Sequence, residues 1–335
     1  FLSIVDQVSW AKNEVTNKMF IDKLSGEAYG LRALNYYYLL MAHGGWTEDG
    51  KLLGVPMLLE PESTTSDFNQ ARAPFSECVQ QILEDLKLAS ELLPLDYENI
   101  DSDAEVPAKY KEIGAQLGNY NLVFGTYQRG RLTMRIVEAI KAQVALLAAS
   151  PAYRDGSEVT SETAANYAAA VLNRIGGVTG LDPKGHTWYM NTEELDNLGS
   201  GEVPAEILWR GNKSIGTEDW DMGIKQEKDN FPPTFYGSGR INPTQNLVDA
   251  FPMANGYPIA DKANSGYSEN APYTGRDPRL EKYILFNGAE FKDKTIITGL
   301  YPDEDNKQDN GLNQLNTSTP VSYTHLRAHE TAANL

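Results

Sequence analysis

The amino-acid sequence predicts a mainly α-helical scaffold over residues 1–179, followed by an irregular, loop-rich part with short strands over residues 180–320. Up to Ile175, apolar residues recur every three or four positions, which is the spacing of one face of a helix. Beyond Gly180, short apolar runs alternate with Gly, Pro, Asn and Asp, which favour turns. Of the 335 residues, 41% are hydrophobic, which is enough for one large core or two moderate ones.

Two amphipathic helices are predicted at the start of the chain. The apolar stripe of the first is Ile4, Val8, Ala11, Val15 and Met19, and that of the second is Tyr29, Ala33, Tyr36 and Leu40. We expect Tyr36, Tyr37 and Leu40 to pack in the core rather than to contact a ligand. The second helix is expected to end at Gly44-Gly45, because glycine takes a positive φ without a steric penalty.

Three further helices follow in the first part. The clearest stripe runs from Phe75 to Leu93 and stops at Pro94. Residues 131–150 are apolar on more than one face, which is typical of a helix that lies between others. A shorter helix is predicted over residues 164–175. Antiparallel pairing of these helices suggests a tetratricopeptide-like solenoid, although the spacing is irregular and the consensus of that repeat is missing.

The second part is predicted to contain little regular structure. Residues 207–209 and 283–286 are short apolar runs that predict strands, and residues 243–251 predict one more helix. Trp209 is flanked by Ile207 and Leu208, so we expect it to be buried.

The composition excludes several classes of partner. There are 29 Lys and Arg residues against 46 Asp and Glu, and the formal charge of −17 makes nucleic acid and anionic membrane surfaces poor partners. The longest uncharged apolar stretch, residues 142–153, is shorter than the roughly 20 residues that span a bilayer as a helix. The single cysteine, Cys78, lies inside a predicted helix and is expected to be a small buried hydrophobe.

The sequence shows no pattern of catalytic or cofactor-binding residues. His43 and His186 are far apart and lack zinc-ligand spacing, and no nucleophile motif or phosphate-binding loop is present. The acidic residues at 303, 305 and 309 do not match a calcium loop, so a solvated loop is expected there. A glycosidase carboxylate pair is defined by its separation in space, and the sequence singles none out. We therefore expect no cofactor, no metal and no catalysis.

The two ends of the chain are expected to be those of an internal fragment. Phe1 is not an initiator methionine, and no secretion signal precedes the first patterned segment. SYTHLRAHET, residues 322–331, resembles one reading frame of a transposase sequencing adapter. Residues 321–335 are therefore predicted to be an adapter-derived tail that packs against nothing.

Five segments, in the same order, resemble the SusD/RagB family of nutrient-binding surface lipoproteins of Bacteroidota. These are GEAYGLRALNYYYLLMAHGG at 26–45 with the following Gly54-Val55-Pro56, residues 72–94, GRLTMRIVEAIKAQVALLAASPAY at 130–153, PTQNLVDAFPMANGYPI at 243–259, and Arg-Asp-Pro-Arg at 276–279. Each segment is weakly specific alone, but all five together resemble the family across residues 26–288. Most of these residues have a structural explanation as helix stripes and turns, so they indicate the scaffold and not a binding site.

The resemblance implies a function at the cell surface. A family member holds a glycan or another nutrient oligomer above a SusC-type TonB-dependent transporter for uptake across the outer membrane. Its lipid anchor and signal peptide, and the last part of its scaffold, are expected to be missing from this fragment. Two alternatives stay open, namely a helical-repeat scaffold for protein interactions without a small ligand, and a glycoside hydrolase.

Exposed aromatic residues on loops are the candidate ligand contacts. Sugars pack their C–H faces on aromatic rings while neighbouring polar groups bind the hydroxyls. Seven residues of the loop-rich part fit this requirement, namely Trp188, Tyr189, Trp220, Asp221, Phe235, Tyr236 and Arg240. The alternative for each aromatic residue is a small satellite core beneath a long loop.

Overall fold

The computed structural model describes residues 1–182, 197, 207–210, 229–231, 239–240, 242–291 and 294–296. The chain divides into two compact units, Phe1–Lys213 and Ser214–Leu335. The described residues are mainly helical, and their strands are two-residue segments in two small antiparallel ladders. The predicted fold class is therefore confirmed, whereas the boundaries at residues 180 and 321 stay predictions. No helix among the described residues is both long and apolar enough to cross a membrane.

A single long helix, α1 (Glu14–His43), stands where two helices were predicted. A 3-10 turn at Val5–Gln7 precedes it, so the stripe that begins at Ile4 is not helical throughout. The Asn13 side chain caps α1 by accepting a hydrogen bond from the Thr16 backbone N–H at 2.9 Å. Asp22 and Lys23 interrupt the apolar stripe, but both are buried. Because each of them has a polar partner, the helix continues through this interruption.

The second helix, α2 (Phe75–Leu92), packs antiparallel to α1. The Gly26 backbone, near the middle of α1, lies against Leu92 and Leu93, while Gly44, directly after the C-terminal end of α1, lies against Phe75. The predicted positive φ at Gly44 is wrong, because its φ is −68°. Gly44 is required there for a different reason, since a Cβ atom would lie 2.6 Å from the Leu40 carbonyl oxygen.

Helix α5 (Met134–Ala148) completes the first core, and α7 (Ser161–Asn173) packs on α5 through a separate small cluster that includes Ala145 and Ala164, with the short α6 (Arg154–Ser157) between the two helices. Helix α5 packs against α2 on one side and α7 on the other, as its all-round apolar pattern predicts. The main cluster of fully buried side chains includes Leu40, Phe75, Cys78, Ile82, Leu86, Leu132, Val137 and Val144. Tyr36 and Leu40 are buried, as expected for core residues, whereas Tyr37 is only partly buried.

The polar stretch after Pro94 forms a second small core of the first unit. It contains α3 (Ala108–Lys111) and α4 (Leu117–Phe124), with 3-10 turns at Asp103–Glu105 and Thr126–Gln128. The buried residues are mainly aromatic or small, namely Met19, Tyr97, Val106, Tyr110, Ala115, Val123 and Phe124. Their irregular spacing explains why no helix was predicted over this stretch.

Two strand predictions are wrong. Residues 207–210 form no ladder, and Tyr283 is the last residue of α9 (Pro278–Tyr283). The first unit has instead a ladder between β1 (Gly45–Trp46) and β2 (Leu52–Leu53). The second unit pairs β3 (Glu290–Phe291) with β4 (Lys294–Thr295). A short apolar run forms a strand only where a partner edge is available, which its sequence does not reveal.

The second unit contains α8 (Gln245–Ala250), as predicted, and α9. Its core is small and consists of Val248, Leu280, Ile284, Phe286 and Ala289. Arg276 is buried, and its Nη atoms donate to the carbonyl oxygens of Pro272, Val248 and Phe251 at 2.7–2.8 Å. The next residue, Asp277, caps α9, and its hydrogen bonds with Arg279 lower its pKa to about 2. The Arg-Asp-Pro-Arg motif thus joins the end of α8 to the start of α9.

Candidate functional site

A cleft of about 200 Å³ lies in the first unit, where residues 96–98, 129–136 and 207–210 meet. It combines an exposed aromatic ring with charged side chains. The side chains that line it include Asp96, Glu98, Arg129, Arg131, Leu208, Trp209 and Arg210. An aromatic ring and several planar polar groups thus share one cavity.

Trp209 supplies the aromatic surface of the cleft. Its side chain is 37% exposed, so the prediction that it is buried is wrong. The indole Nε1–H donates a hydrogen bond to the Gly130 carbonyl oxygen at 2.9 Å. This bond fixes one edge of the ring and leaves the rest partly open to solvent. The flanking apolar residues did not indicate this, because Leu208 is itself 39% exposed.

Three arginine–carboxylate pairs each place at least one side chain in the lining of the cleft. Arg129 contacts Glu98 at 2.5 Å, and Arg131 contacts Glu27 of α1 at 3.0 Å. Arg135 of α5 binds both carboxylate oxygens of Asp96, at 3.0 and 2.6 Å. Because the pairs join α1, the 96–98 segment and the start of α5, they hold the walls of the cleft in a defined geometry.

A buried polar layer on α1 supports one of these pairs. The Tyr97 hydroxyl donates to Glu27 Oε1 at 3.2 Å, and burial raises the pKa of Tyr97. Lys23 is 2% exposed and donates to Gln128 Oε1 at 2.8 Å. Burial lowers the pKa of Lys23 to about 8; the Glu27 carboxylate opposes this shift and the charge of Arg131 adds to it.

The cleft has the chemistry of a small polar binding site. An exposed indole face packs against flat C–H surfaces, and ion-paired side chains present donors and acceptors in fixed directions. The volume is below the ~300–1,000 Å³ that is usual for sites enclosing drug-sized ligands, so it suits about one ring of a ligand.

Most of the predicted ligand contacts lie outside the described residues. These are Trp188, Tyr189, Trp220, Asp221, Phe235 and Tyr236. Arg240 is described and lies in the second unit, where it is exposed and ion-paired with Asp229 at 3.4 Å. The Trp209 cleft was missed because its residues are far apart in the sequence. The only local signal was a glycine between two arginines, at 129–131.

A second, larger depression of about 670 Å³ lies between residues 1–3, the middle of α1 and residues 58–61. Arg32 lines this depression, and its guanidinium donates to both carboxylate oxygens of the buried Asp85 at 2.7 and 2.6 Å. Arg32 also lies over the Tyr29 ring, with its Cζ 5.5 Å from the ring centroid. Since Asp85 is fully buried, we assign this pair to the packing of α1 on α2.

Within the described ranges, the other reactive side chains have no grouping that suggests chemistry. His43 is exposed at the end of α1, and His186 lies outside the described residues. No cluster of His, Cys, Asp and Glu side chains among the described residues could hold a metal ion. Cys78 is buried, as expected, and burial raises its pKa.

The helices of the first unit pack in pairs, and the small aromatic and polar cleft lies beside them. Two family models match the chain. A SusD-like model, described as "starch-binding associating with outer membrane", matches residues 2–111, and the SusD/RagB model matches residues 205–330. The chain belongs to the SusD/RagB family. A comparison with curated proteins finds no significant match.

Solved structures show the same fold. A SusD-like protein from Bacteroides fragilis is 22% identical, with a TM-score of 0.50 over 86% of this chain and 47% of that protein. A SusD-like carbohydrate-binding protein from the same species is 14% identical, with a TM-score of 0.50 over 90% of this chain and 46% of that protein. The chain thus spans about half of the length of these relatives.

Proposed function

We propose that this chain belongs to a surface glycan-binding protein, which holds oligosaccharides for a SusC-type TonB-dependent transporter in the outer membrane. The match of residues 2–111 to the starch-binding, outer-membrane-associated family model carries this proposal. The proposal includes a signal peptide that directs export of the whole protein and a lipid anchor that holds it at the cell surface. The bound molecule is a glycan or a related nutrient oligomer.

The Trp209 cleft supports binding rather than catalysis. Two carboxylates, Asp96 and Glu98, line one cavity, as they would in a glycosidase. Each of them is held by an arginine through charge-assisted hydrogen bonds. The arrangement favours two fixed hydrogen-bond acceptors over an acid and a base.

Direct binding measurements test the proposal. The purified chain is applied to a glycan array, and the glycans that bind are then titrated by calorimetry. We expect binding of at least one oligosaccharide class and no release of reducing ends on incubation with mixed polysaccharides. Reducing-end release would favour a hydrolase. Retention of protein partners with no glycan bound would favour a helical-repeat scaffold.

The loop aromatics remain candidate contacts. We expect Trp220→Ala, and equally Trp188→Ala, Tyr189→Ala and Tyr236→Ala, to weaken binding by about 1–3 kcal/mol while the melting temperature stays nearly unchanged. Asp221 and Arg240 are the candidate polar partners, and Phe235 is a further ring. If all of these variants melt early and bind normally, they belong to satellite cores.

The transporter partnership is tested separately. A tagged full-length form is co-expressed with the SusC-type transporter of the same cell, and the two are co-purified from solubilised outer membrane. We expect the transporter to be retained and the tagged protein to be accessible to a protease added to intact cells. Recovery of the tagged protein in the cytoplasm, without the transporter, would contradict the proposal.

A further inference from the structure

We infer that the Trp209 cleft binds a single uncharged sugar ring and discriminates against sugars that carry a carboxylate. This inference rests on the proposed glycan binding and adds the location and the charge class of the ligand. The observations are the exposed, anchored ring of Trp209 and the pairing of the charges around it.

The ring satisfies the geometric requirement for stacking. An aromatic platform stabilises a ligand best when its orientation is fixed before binding, because less side-chain entropy is then lost. The bond from Nε1 to the Gly130 carbonyl oxygen fixes Trp209, and 37% of the side chain stays exposed. The cleft of about 200 Å³ leaves space for one ring and not for a chain of several.

The charges explain the expected discrimination. Arg129 and Arg131 each hold a carboxylate, and Arg210, the third arginine that lines the cleft, is also engaged. A uronic acid could still accept from the unused N–H groups of Arg129 or Arg131, but the carboxylate already held by each arginine offsets the positive charge that would attract it. The formal charge of −17 adds a general repulsion of anions. Hydroxyl groups can instead accept from an arginine and donate to its carboxylate without breaking the pair.

Calorimetry, combined with the fluorine NMR signal of labelled Trp209, tests the inference. The protein is labelled with 5-fluorotryptophan, and the Trp209 resonance is assigned by comparison with Trp209→Phe. Maltotriose, cellotriose, xylotriose, mannotriose and trigalacturonic acid are then titrated. We expect a neutral trisaccharide to shift the Trp209 resonance and trigalacturonic acid to leave it unchanged. We also expect the affinity of the neutral trisaccharide to change less than about twofold when salt rises tenfold, because no charge is neutralised.

Trp46 offers a matched control. It is also an exposed tryptophan, and its Nε1–H likewise donates to a backbone carbonyl, that of Ala152, at 2.8 Å. It does not line the Trp209 cleft. We expect Trp209→Ala to reduce the affinity for the neutral trisaccharide at least about tenfold, as at other stacking sites, and Trp46→Ala to leave it unchanged.

Glu98→Gln tests the role of charge pairing. The substitution frees Arg129, so we expect trigalacturonic acid to gain affinity by about two- to fivefold, the range of an exposed ion pair. If the affinity for trigalacturonic acid is the same in Glu98→Gln and in the unmodified protein, the charge argument is wrong. It is also wrong if the unmodified protein binds trigalacturonic acid more tightly than the neutral trisaccharides. Calorimetric binding that does not move the Trp209 resonance would overturn the location and leave the proposed function standing. If no trisaccharide binds in the calorimeter while a glycan binds on the array, the inference fails and the proposed function stands. If neither measurement shows binding, both fail.

Discussion

The two units use the same device, an arginine bound to three backbone carbonyls, in different surroundings. In the first unit, Arg72 donates to the carbonyl oxygens of His43, Leu53 and Gly54 at 2.7–2.9 Å and is exposed. In the second unit, Arg276 makes three similar bonds and is 7% exposed. The first unit has a large helical core beside its arginine, whereas the second has a small one. Stability should therefore depend on packing in the first unit and on Arg276 in the second.

The largest expected effect is in the core of the first unit. Phe75 is fully buried and stacks on Tyr153 with a centroid distance of 4.7 Å. We expect Phe75→Ala to lower the free energy of unfolding by about 3–5 kcal/mol, because it leaves a cavity between packed helices. Urea denaturation measures the loss. As a control, Tyr127→Ala, at a residue that is 96% exposed, should change stability by less than about 0.5 kcal/mol. A similar loss in both variants would contradict the packing argument.

The next largest loss of stability is expected on removing Arg276, and removal of Arg72 provides the comparison. Arg276→Met removes the buried donor of three carbonyls, and we expect a loss of about 3 kcal/mol. Arg72→Met removes the same number of bonds from carbonyls that water can reach, so we expect about 1 kcal/mol or less. Hydrogen exchange should be faster over residues 245–291 in Arg276→Met and unchanged in α2. Faster exchange in α2 would show that the units unfold together.

A smaller effect is expected at the buried lysine of α1. The pKa of Lys23 is lowered from its ordinary value of 10.5 to about 8 in the folded protein. Between pH 8 and 10.5 the folded state therefore binds fewer protons than the unfolded state. Stability contributed by this group therefore rises with pH from about 8 to 10.5. We expect Lys23→Met to be more stable than the wild type by about 1 kcal/mol at pH 7, with the difference shrinking towards pH 10.

Paired denaturation curves of the wild type and Lys23→Met at pH 7, 8.5 and 10 measure this difference. Lys12→Met serves as the control, because Lys12 lies in an exposed position just before α1. A constant difference across this pH range would show that Lys23 stays charged in the folded protein.

The smallest loss of stability is expected when the N-cap side chain of a helix is removed in either unit. Asn13 caps the 30-residue α1, and Thr244 caps the six-residue α8. Each accepts a bond from a backbone N–H, so each alanine variant should lose about 1 kcal/mol. Thermal melts measure both losses. If Thr244→Ala costs clearly more than Asn13→Ala, then α8 depends on its cap because it has little packing of its own.

Helices α2 and α5 were predictable because their buried residues recur at helical spacing. The stripes that include Ile82 and Val144 each matched a helix of the structure. The prediction of two helices in place of the single helix α1 was wrong. Lys23 interrupts the apolar pattern of the sequence, but it is buried in the structure. A buried polar residue with a distant partner, here Gln128, produces no local signal.

The candidate site was less predictable for a similar reason. The cleft requires Trp209 to meet Gly130, 79 positions earlier, and no periodicity connects them. Flanking apolar residues predicted burial, but exposure depends on whether a partner strand covers the segment, and residues 207–210 form no ladder. The motif at 276–279 is one of the five segments that together resemble the family, and it gave no information on ligand contacts.

The packing of Gly54 on Cys78 has a consequence for experiments in solution. A Cβ atom on Gly54 would lie 2.4 Å from the Cys78 Sγ, so the backbone covers the thiol closely. Because the thiol is buried and its pKa is raised, an alkylating reagent reacts with it only after α2 separates from this backbone. Cys78 is the single cysteine of the chain. Its rate of alkylation therefore reports how often the first unit opens, without any introduced label.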